Sequence, residues 1–329
     1  MQEGLVIRTT GSWYRVLLAD GGQYDCRLRG NYRLRGNKQT NPVAVGDRVL
    51  FEVQDDGTGV IHEVQDRRNY IVRRATKLSK QTHVIAANID LLCIVATLGL
   101  PRTSTGFIDR LLVTAEAYHI PSCIIFNKCD LWINEECGIR NEEFSDGDDN
   151  SSFLIPHSSL PELYRKVGYP VLEVSALKGT NLDAVKEMIA GKTVLFSGHS
   201  GVGKSALLNA LSPNLGLRVG ELSDWSLKGK HTTTFAEIFP VPLNTNHLPL
   251  TTYLIDTPGI KEFGMVDFTP QELSHFFPEM RTVLHGCHFA NCTHRHEPQC
   301  AVKAAVEEGR ISEERYRNYL NIIEGIDQT

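Results

Sequence analysis

The sequence predicts a multidomain protein with a small all-β barrel first, an α/β domain with a parallel sheet second, and a mainly helical segment last. Short strand patterns separated by turn residues fill residues 4–72, and from about residue 73 apolar strands alternate with helical patterns. Three cysteines and three histidines then fall within residues 287–300. A chain of 329 residues is long enough for two or three domains, each with its own core.

The composition is that of an ordinary globular protein, with 41% apolar and 22% charged residues. No apolar run approaches the roughly 18 residues that a membrane span needs. The first residues, MQEGLVIRTT, have neither a basic leader nor an apolar signal core. We therefore expect a cytoplasmic protein without a membrane contact. The scattered cysteines are expected to be small buried hydrophobic residues; these are Cys26, Cys93, Cys123, Cys129 and Cys137.

Charge is distributed unevenly along the chain. Residues 1–80 carry 14 Lys and Arg against 9 Asp and Glu, and the remaining residues carry 20 against 30. A basic segment on an acidic body indicates a polyanion contact through that segment, and a solvated basic surface explains it equally well.

The N-terminal strand patterns predict a closed barrel over residues 1–72. GLVIRTTGSWYRVLL, GGQYDCRLRG, VAVGDRVLFEV and GVIHEVQ alternate apolar and polar residues. About five strands in so short a segment fit an OB-fold. The segment RLRGNYRLRGNK brings basic side chains and a tyrosine together, as suits RNA: Arg27, Arg29, Tyr32, Arg33, Arg35 and Lys38. An exposed hairpin in any barrel has a similar composition, so both interpretations stay open.

Residues 73–265 predict a parallel sheet with helices on both faces. The buried-strand runs are LLCIVA (91–96), SCIIF (122–126), VLEVS (171–175), TVLFS (193–197) and TYLID (252–256), with helical segments at 106–118 and 204–211. Residues 134–152 are acidic and polar, which indicates a solvated insertion. Residues 266–329 form the mainly helical domain, with an amphipathic helix predicted at about 302–324.

A phosphate-binding loop follows the strand TVLFS and precedes the helix SALLNAL. GHSGVGKS matches the pattern G-x-x-x-x-G-K-S/T, and its strand–loop–helix setting is the one that the pattern requires. Gly198 and Gly203 let backbone N–H groups turn toward phosphates at a helix N-terminus. Lys204 is expected to reach the β- and γ-phosphates, and Ser205 to bind Mg²⁺. The whole loop is predicted to contact nucleotide: Gly198, His199, Ser200, Gly201, Val202, Gly203, Lys204 and Ser205.

Three further motifs each follow an apolar strand and resemble the guanine and switch motifs of GTPases. NKCD resembles N-K-x-D: Asp130 would accept hydrogen bonds from guanine, Lys128 would stack along the base, and Asn127 would brace the loop. SAL, with Ser175 and Ala176, resembles the motif whose backbone contacts the guanine carbonyl. In DTPG, which resembles the D-x-x-G switch, Asp256 would hold Mg²⁺ through water and Gly259 would sense the γ-phosphate. Four motifs at four strand ends favour GTP over ATP.

The C-terminal cluster has the spacing C-x₄-C-x-H-x₅-C, formed by Cys287, Cys292, His294 and Cys300. Three thiolates and one imidazole predict a closed, tetrahedral, structural zinc site. A redox pair is the competing interpretation, but it would more naturally be C-x-x-C within a βαβ unit.

The order of the motifs is circularly permuted, because the guanine motifs at 127 and 175 precede the phosphate loop at 198 and the switch at 256. Permutation at exposed loops is tolerated.

With the barrel and the Cys/His cluster, this order closely resembles the RsgA (YjeQ) family of bacterial small-subunit ribosome biogenesis GTPases over essentially the whole chain. The resemblance implies a cytoplasmic GTPase that acts in late assembly of the 30S subunit. It would bind the subunit and its 16S rRNA and hydrolyse GTP to GDP with stimulation by the subunit. The family has zinc at the four positions that match the Cys/His cluster, so the resemblance implies zinc here as well. A monomer is expected.

The segment GKHTTT resembles the family's first switch, and Thr233, or else Thr232, is expected to ligate Mg²⁺. Ile260 follows DTPG where Ras-like enzymes carry a glutamine, so His231 becomes the candidate catalytic residue, a role that the family pattern also gives it. A surface histidine in a mobile loop is the alternative. We predict slow intrinsic turnover. Gly201 replaces the asparagine of potassium-dependent GTPases, which argues against that dependence.

Two other functions stay open. A nucleic-acid-binding scaffold with GTP as a mere ligand is compatible with Ile260. A nucleotide kinase is disfavoured by the joint presence of NKCD and DTPG.

Overall fold

The computed structural model describes residues 1–30, 42–74, 82–131, 159–212, 236–244, 249–256 and 269–325. Among these residues, the helices are all too short or too polar to cross a bilayer.

Five strands form the N-terminal barrel, as predicted. They are β1 (Gln2–Thr10), β2 (Trp13–Leu17), β3 (Gln23–Leu28), β4 (Arg48–Val53) and β5 (Gly59–Val64). β1 pairs with both β2 and β4, β3 pairs in parallel with β5, and β5 pairs with β4, so the sheet closes on itself. A Cβ atom at Gly59 would lie 2.4 Å from the Sγ of Cys26. The barrel core therefore requires glycine at that position.

A two-stranded hairpin of β6 (Tyr70–Arg74) and β7 (Thr82–Ala87) follows the barrel. The central sheet comprises β8 (Leu91–Ala96), β9 (Ser122–Phe126), β10 (Val171–Glu173), β11 (Thr193–Ser197), β12 (Glu237–Asn244) and β13 (Pro249–Asp256). Its strand order is β10-β9-β8-β11-β13-β12, and only β12 runs antiparallel to its neighbour β13. Among the described residues, β1 and β12 pair at Arg8 and Glu237, where the barrel meets the edge of this sheet.

Helices pack on both faces of the central sheet, which confirms the predicted α/β fold. They are α1 (Thr105–Ala117), α2 (Leu160–Val167), α3 (Leu182–Ile189) and α4 (Lys204–Leu211). Alternate side chains of β8 enter two separate cores, because successive strand residues point to opposite faces. Ile94 packs in the core that contains residues of α1 and α2, and Val95 packs in the core that contains residues of α3 and α4.

The C-terminal segment contains α5 (Pro270–Leu273), α6 (Pro278–Arg281), α7 (Ala301–Glu307) and α8 (Glu313–Glu324) around a core of its own. The prediction of one helix over 302–324 is wrong. Gly309 adopts φ +71° and its N–H bonds to the Val306 carbonyl, which ends α7, and α8 begins after Ser312. The buried Ile311 between the two helices continues the apolar pattern, which hides the break in the sequence.

Candidate nucleotide site and metal centre

The predicted nucleotide motifs lie together at one edge of the central sheet. The phosphate loop follows β11, NKCD follows β9, SAL follows β10, and Asp256 is the last residue of β13. These strands are parallel within the order β10-β9-β8-β11-β13, so their carboxyl ends meet at the same edge. Ligands of open α/β sheets bind at this edge. Circular permutation therefore changes the chain order of the motifs and leaves their neighbourhood intact.

The phosphate loop has the backbone that its glycines predict. Gly203 adopts φ +90° directly before α4, and a Cβ atom there would lie 2.5 Å from the Nδ2 of Asn127. A side chain at this position would meet both strain and a clash. The Lys204 ammonium donates to the carbonyl oxygens of Gly198 and His199, at 2.6 and 2.7 Å. The lysine charge is thus held directly at the loop, and Ser205 is buried one residue further on.

Asn127 connects three motifs through one buried side chain. Its Nδ2 donates to the Val202 carbonyl at 2.9 Å, and its Oδ1 accepts from the Ala176 N–H at 3.1 Å. The side chain is 1% exposed, so these bonds are not in competition with water. Asn127 therefore sets the distance between the guanine motifs and the phosphate loop.

Asp130 and Lys128 are also held by neighbouring loops. The Ser175 hydroxyl donates to Asp130 Oδ1 at 2.5 Å and accepts from the Lys178 N–H at 3.0 Å. The Lys128 ammonium donates to the carbonyl of Leu100 at 2.9 Å. β10 ends at Glu173, two residues earlier than predicted, because Ser175 instead pairs with Thr180 in a tight turn. That turn presents the Ser175 hydroxyl to Asp130.

Two contacts at this edge involve residues that sequence reasoning missed. Pro101 approaches the phosphate loop closely, since a Cβ atom at Gly201 would lie 3.1 Å from its Cγ. The Phe107 ring on α1 stacks on the His199 imidazole, with ring centroids 3.7 Å apart. The strand-to-helix segment 97–107 resembles an ordinary βα connection in the sequence, and no local pattern indicates that it contacts the phosphate loop.

Several predicted site residues lie outside the described residues. These are Tyr32, Arg33, Arg35 and Lys38 of the basic segment 27–38, His231, Thr232 and Thr233 of the first switch, and Gly259 and Ile260 of the second. Asp256 is described only as the end of β13.

Two predicted RNA-contact residues are described on the barrel surface. The Arg27 guanidinium lies 4.0 Å from the centroid of the Trp13 ring, and Arg29 lies within 3.4 Å of the His62 ring. Both arginines are exposed. On an exposed sheet surface, an aromatic ring can stack on a nucleic-acid base and a neighbouring cation can attract a phosphate.

Cys287, Cys292, His294 and Cys300 converge as the spacing predicts. Their ligand atoms all lie within 4.8 Å of one another. A tetrahedral site with metal–sulfur bonds of about 2.3 Å has ligand separations of about 3.8 Å, so four ligands fit here. The Nδ1 of His294 lies 3.6 Å from the Cys287 sulfur and 3.4 Å from the Cys300 sulfur, which identifies Nδ1 as the inward nitrogen. The four side chains therefore form a group that could hold one metal ion with four protein ligands.

Burial controls protonation in the metal-free cluster. It raises the pKa of Cys292 to about 12 and also raises the pKa of Cys300, whereas it lowers the pKa of His294. Two neutral thiols and a neutral imidazole result at pH 7. The thiols must lose their protons to bind a metal ion.

Glu297 organises the loop that carries His294. Its carboxylate accepts hydrogen bonds from the N–H and hydroxyl of Thr293, at 2.8 and 2.6 Å, and from the N–H groups of Arg295 and His296. Burial acts to raise the pKa of Glu297, but these bonds outweigh it and lower the pKa to about 2. The Tyr316 hydroxyl donates to the His294 carbonyl at 2.6 Å and fixes the same loop from α8.

A parallel sheet with a phosphate loop and guanine motifs in permuted order defines a circularly permuted GTPase. The family described as RsgA GTPase matches residues 64–266, and the RsgA N-terminal domain matches residues 3–61. The chain belongs to the RsgA GTPase family and is a GTP hydrolase by class.

Relatives and solved structures extend this similarity over nearly the whole chain. The small ribosomal subunit biogenesis GTPase RsgA of Bacteroides fragilis is 48% identical over 98% of this chain and 96% of its own length. The protein of the same name from Christiangramia forsetii is 46% identical, with the same coverage. YjeQ from Thermotoga maritima superposes with a TM-score of 0.74 at 32% identity and covers 99% of this chain and 98% of its own. YloQ, described as a circularly permuted GTPase, has a TM-score of 0.68 at 29% identity, with 99% and 95% covered.

Proposed function

We propose that this chain is a cytoplasmic GTPase of late small-subunit assembly, which binds the 30S ribosomal subunit through its 16S rRNA and hydrolyses GTP when the subunit stimulates it. The observation that carries the proposal is the Asn127 bridge, which joins the guanine motifs to the phosphate loop in a permuted chain. The names of the relatives supply the ribosomal partner. The protein acts as a monomer.

The proposed nucleotide roles are assigned residue by residue. Asp130 is accessible to accept hydrogen bonds from the guanine N1–H and amine, while Ser175 fixes its orientation. Lys204 exchanges its two carbonyl acceptors for phosphate oxygens. Ser205, Thr233 and Asp256 would hold Mg²⁺, which compensates charge on the β- and γ-phosphates. The remaining nucleotide contacts come from the other residues of the phosphate loop, from Lys128 and Ala176, and from Gly259.

His231 is the proposed catalytic residue, because Ile260 has no group that can orient water. A histidine can orient the attacking water when neutral or stabilise phosphoryl charge when protonated. Phosphoryl transfer depends mainly on positioning, so hydrolysis is slow until the subunit stimulates it. Replacement of His231 by alanine should therefore remove most stimulated turnover and spare nucleotide binding.

Zinc is the proposed metal of the Cys/His cluster. Three sulfurs and a histidine nitrogen within 4.8 Å of one another match the ligand preference of zinc, and soft thiolates disfavour magnesium and calcium. The metal would fix the loops around residues 287–300, where the ligand Cys300 is also the N-cap of α7. Its role is structural.

The proposed domains are an RNA-binding barrel at 1–72, the permuted GTPase domain at 73–265 and the zinc-binding helical domain at 266–329. The barrel supplies the RNA contact through the basic segment 27–38 and the Trp13–Arg27 surface. The excess of positive charge in residues 1–80 supports this assignment.

Single-turnover hydrolysis of GTP, measured alone and with purified 30S subunits, tests the proposal. We expect stimulation of at least about 10-fold by the subunits, and its loss in His231→Ala with GTP affinity retained. Equal rates with and without subunits would contradict the proposal. Subunit binding without stimulation would instead support the scaffold function that Ile260 allows.

A further inference from the structure

Helix α1 contacts both the phosphate loop and the C-terminal domain. Phe107, on its first turn, stacks on His199 of the phosphate loop with ring centroids 3.7 Å apart. Thr105, two residues earlier, donates its hydroxyl hydrogen to Glu314 of α8 at 2.5 Å. The phosphate loop and α8 therefore contact the same turn of one helix.

The remainder of α1 is anchored to the C-terminal domain along its length. Asp109, 0% exposed, accepts from Arg315 and from the amide of Asn318. Val113 is part of the apolar core of the C-terminal domain. Arg281 lies 3.3 Å from Glu116 at the last turn of α1. A helix held at each turn moves as one body with the domain that holds it.

The Asp109–Arg315 pair makes this junction stiff. Arg315 is 1% exposed and also donates to both oxygens of Glu279, at 2.7 and 3.0 Å. Tyr164 donates to Asp109 from α2 at 2.9 Å. A buried charge that is hydrogen-bonded to several partners at once can adopt few positions. A sliding motion between α1 and α8 would therefore break the hydrogen bonds of Asp109 and Arg315.

We propose that α1 couples the phosphate loop to the C-terminal domain, with Phe107 and Thr105 as positioning residues, by a route separate from the two switches. A nucleotide that orders the phosphate loop fixes His199, and with it the first turn of α1 and the start of α8. The coupling is reciprocal, so the C-terminal domain also adjusts nucleotide affinity. Since the route begins at the loop that holds the β-phosphate, GDP engages it as well as GTP.

Amide hydrogen exchange in α8, measured on the full chain with and without saturating GDP, tests the proposal. The variants are Phe107→Leu, which removes the ring stack, and Thr105→Val, which removes the hydroxyl donor. The matched control is Glu313→Gln, which changes the residue next to Glu314 and removes the charge of the exposed pair with Arg317. Saturating GDP fills the nucleotide site in every variant. A difference in α8 exchange between variants therefore reflects the coupling to α8 and not the fraction of protein that has GDP bound.

We expect GDP to slow exchange in α8 by about fivefold or more in the wild type and in Glu313→Gln. Most of this protection should be lost in Phe107→Leu and a smaller part in Thr105→Val, because Asp109 still joins α1 to Arg315 of α8 in both variants. The GDP affinity of each variant should fall by the same factor as its protection. Equal protection in all four proteins would overturn the proposal, as would an absence of protection in the wild type. No ribosomal subunit is present, so the outcome is independent of the ribosomal function proposed above.

Discussion

The side-chain amide of Asn127 donates a 2.9 Å hydrogen bond to the carbonyl oxygen of Val202, so the guanine motif and the phosphate loop are held together by one buried group. In the chain, the motif of Asn127 precedes the loop of Val202, which reverses the usual order of GTPases. The spatial arrangement depends on strand neighbours and not on chain order, and for this reason permutation preserves the site.

Replacement of Asn127 by alanine should weaken GDP binding by roughly 10- to 100-fold, because it leaves the Val202 carbonyl and the Ala176 N–H without buried partners. Equilibrium titration with a fluorescent GDP analogue measures the effect. Asn127→Asp should be at least as damaging, since a carboxylate would face the Val202 carbonyl. Near-normal affinity in both variants would show that the bridge does not support the site.

Zinc binding should release at least two protons at pH 7, because burial raises the thiol pKa values of Cys292 and Cys300 in the metal-free protein. His294 is neutral at this pH and contributes none. Each thiol that must lose a proton before it binds zinc lowers the zinc affinity about tenfold for every pH unit below its pKa. With two such thiols, the affinity should drop about 100-fold or more per pH unit below 7. Calorimetry in buffers of different ionisation enthalpy counts the protons, and a count near zero would exclude thiolate ligation by these residues.

Arg27→Ala should weaken binding to single-stranded RNA. It should also reduce by about one the number of counterions released on binding, which is measured as the slope of log affinity against log salt concentration. Arg15→Ala provides a matched control on the same barrel, because Asp25 already pairs with Arg15 at 2.9 Å. Arg27 instead lies over the Trp13 ring, 4.0 Å from its centroid, and Asp56 is close enough for its carboxylate to interact with the Arg27 charge. Fluorescence anisotropy at several salt concentrations separates the two variants, and an equal loss in both would mean that only net charge matters.

Arg315→Ala should reduce the free energy of unfolding by about 3–5 kcal/mol, because Asp109 and Glu279 lose their buried partner. Arg317→Ala, on the same helix, should change it by less than about 1 kcal/mol, since Arg317 pairs with exposed Glu313. Urea unfolding of both variants provides the comparison. A small loss in Arg315→Ala would show that the junction between α1 and α8 does not depend on this charge network.

The sequence predicted the barrel, the parallel sheet and the positions of the motifs because these depend on local patterns. Apolar strands that end in Gly, Asn or Asp predict which residues reach the sheet edge, as the described positions of Asn127 and Lys204 confirm. The Phe107–His199 stack and the Asp109–Arg315 pair could not be predicted, since each joins distant segments whose local patterns resemble ordinary helices and loops. The break between α7 and α8 was missed because a single glycine, Gly309, interrupts a continuing apolar pattern.

The most direct test of the central claim measures 30S-stimulated turnover of GTP and XTP by the wild type and by Asp130→Asn. Guanine donates from N1 and its amine to the Asp130 carboxylate, whereas xanthine has a carbonyl in place of the amine, to which an asparagine amide can donate. We predict stimulated hydrolysis of GTP by the wild type, and in the variant a loss of GTP turnover by about 100-fold or more with stimulated hydrolysis of XTP. Undiminished stimulated GTP turnover by Asp130→Asn, or no stimulation of the wild type, would contradict the account of a permuted guanine site coupled to the small subunit.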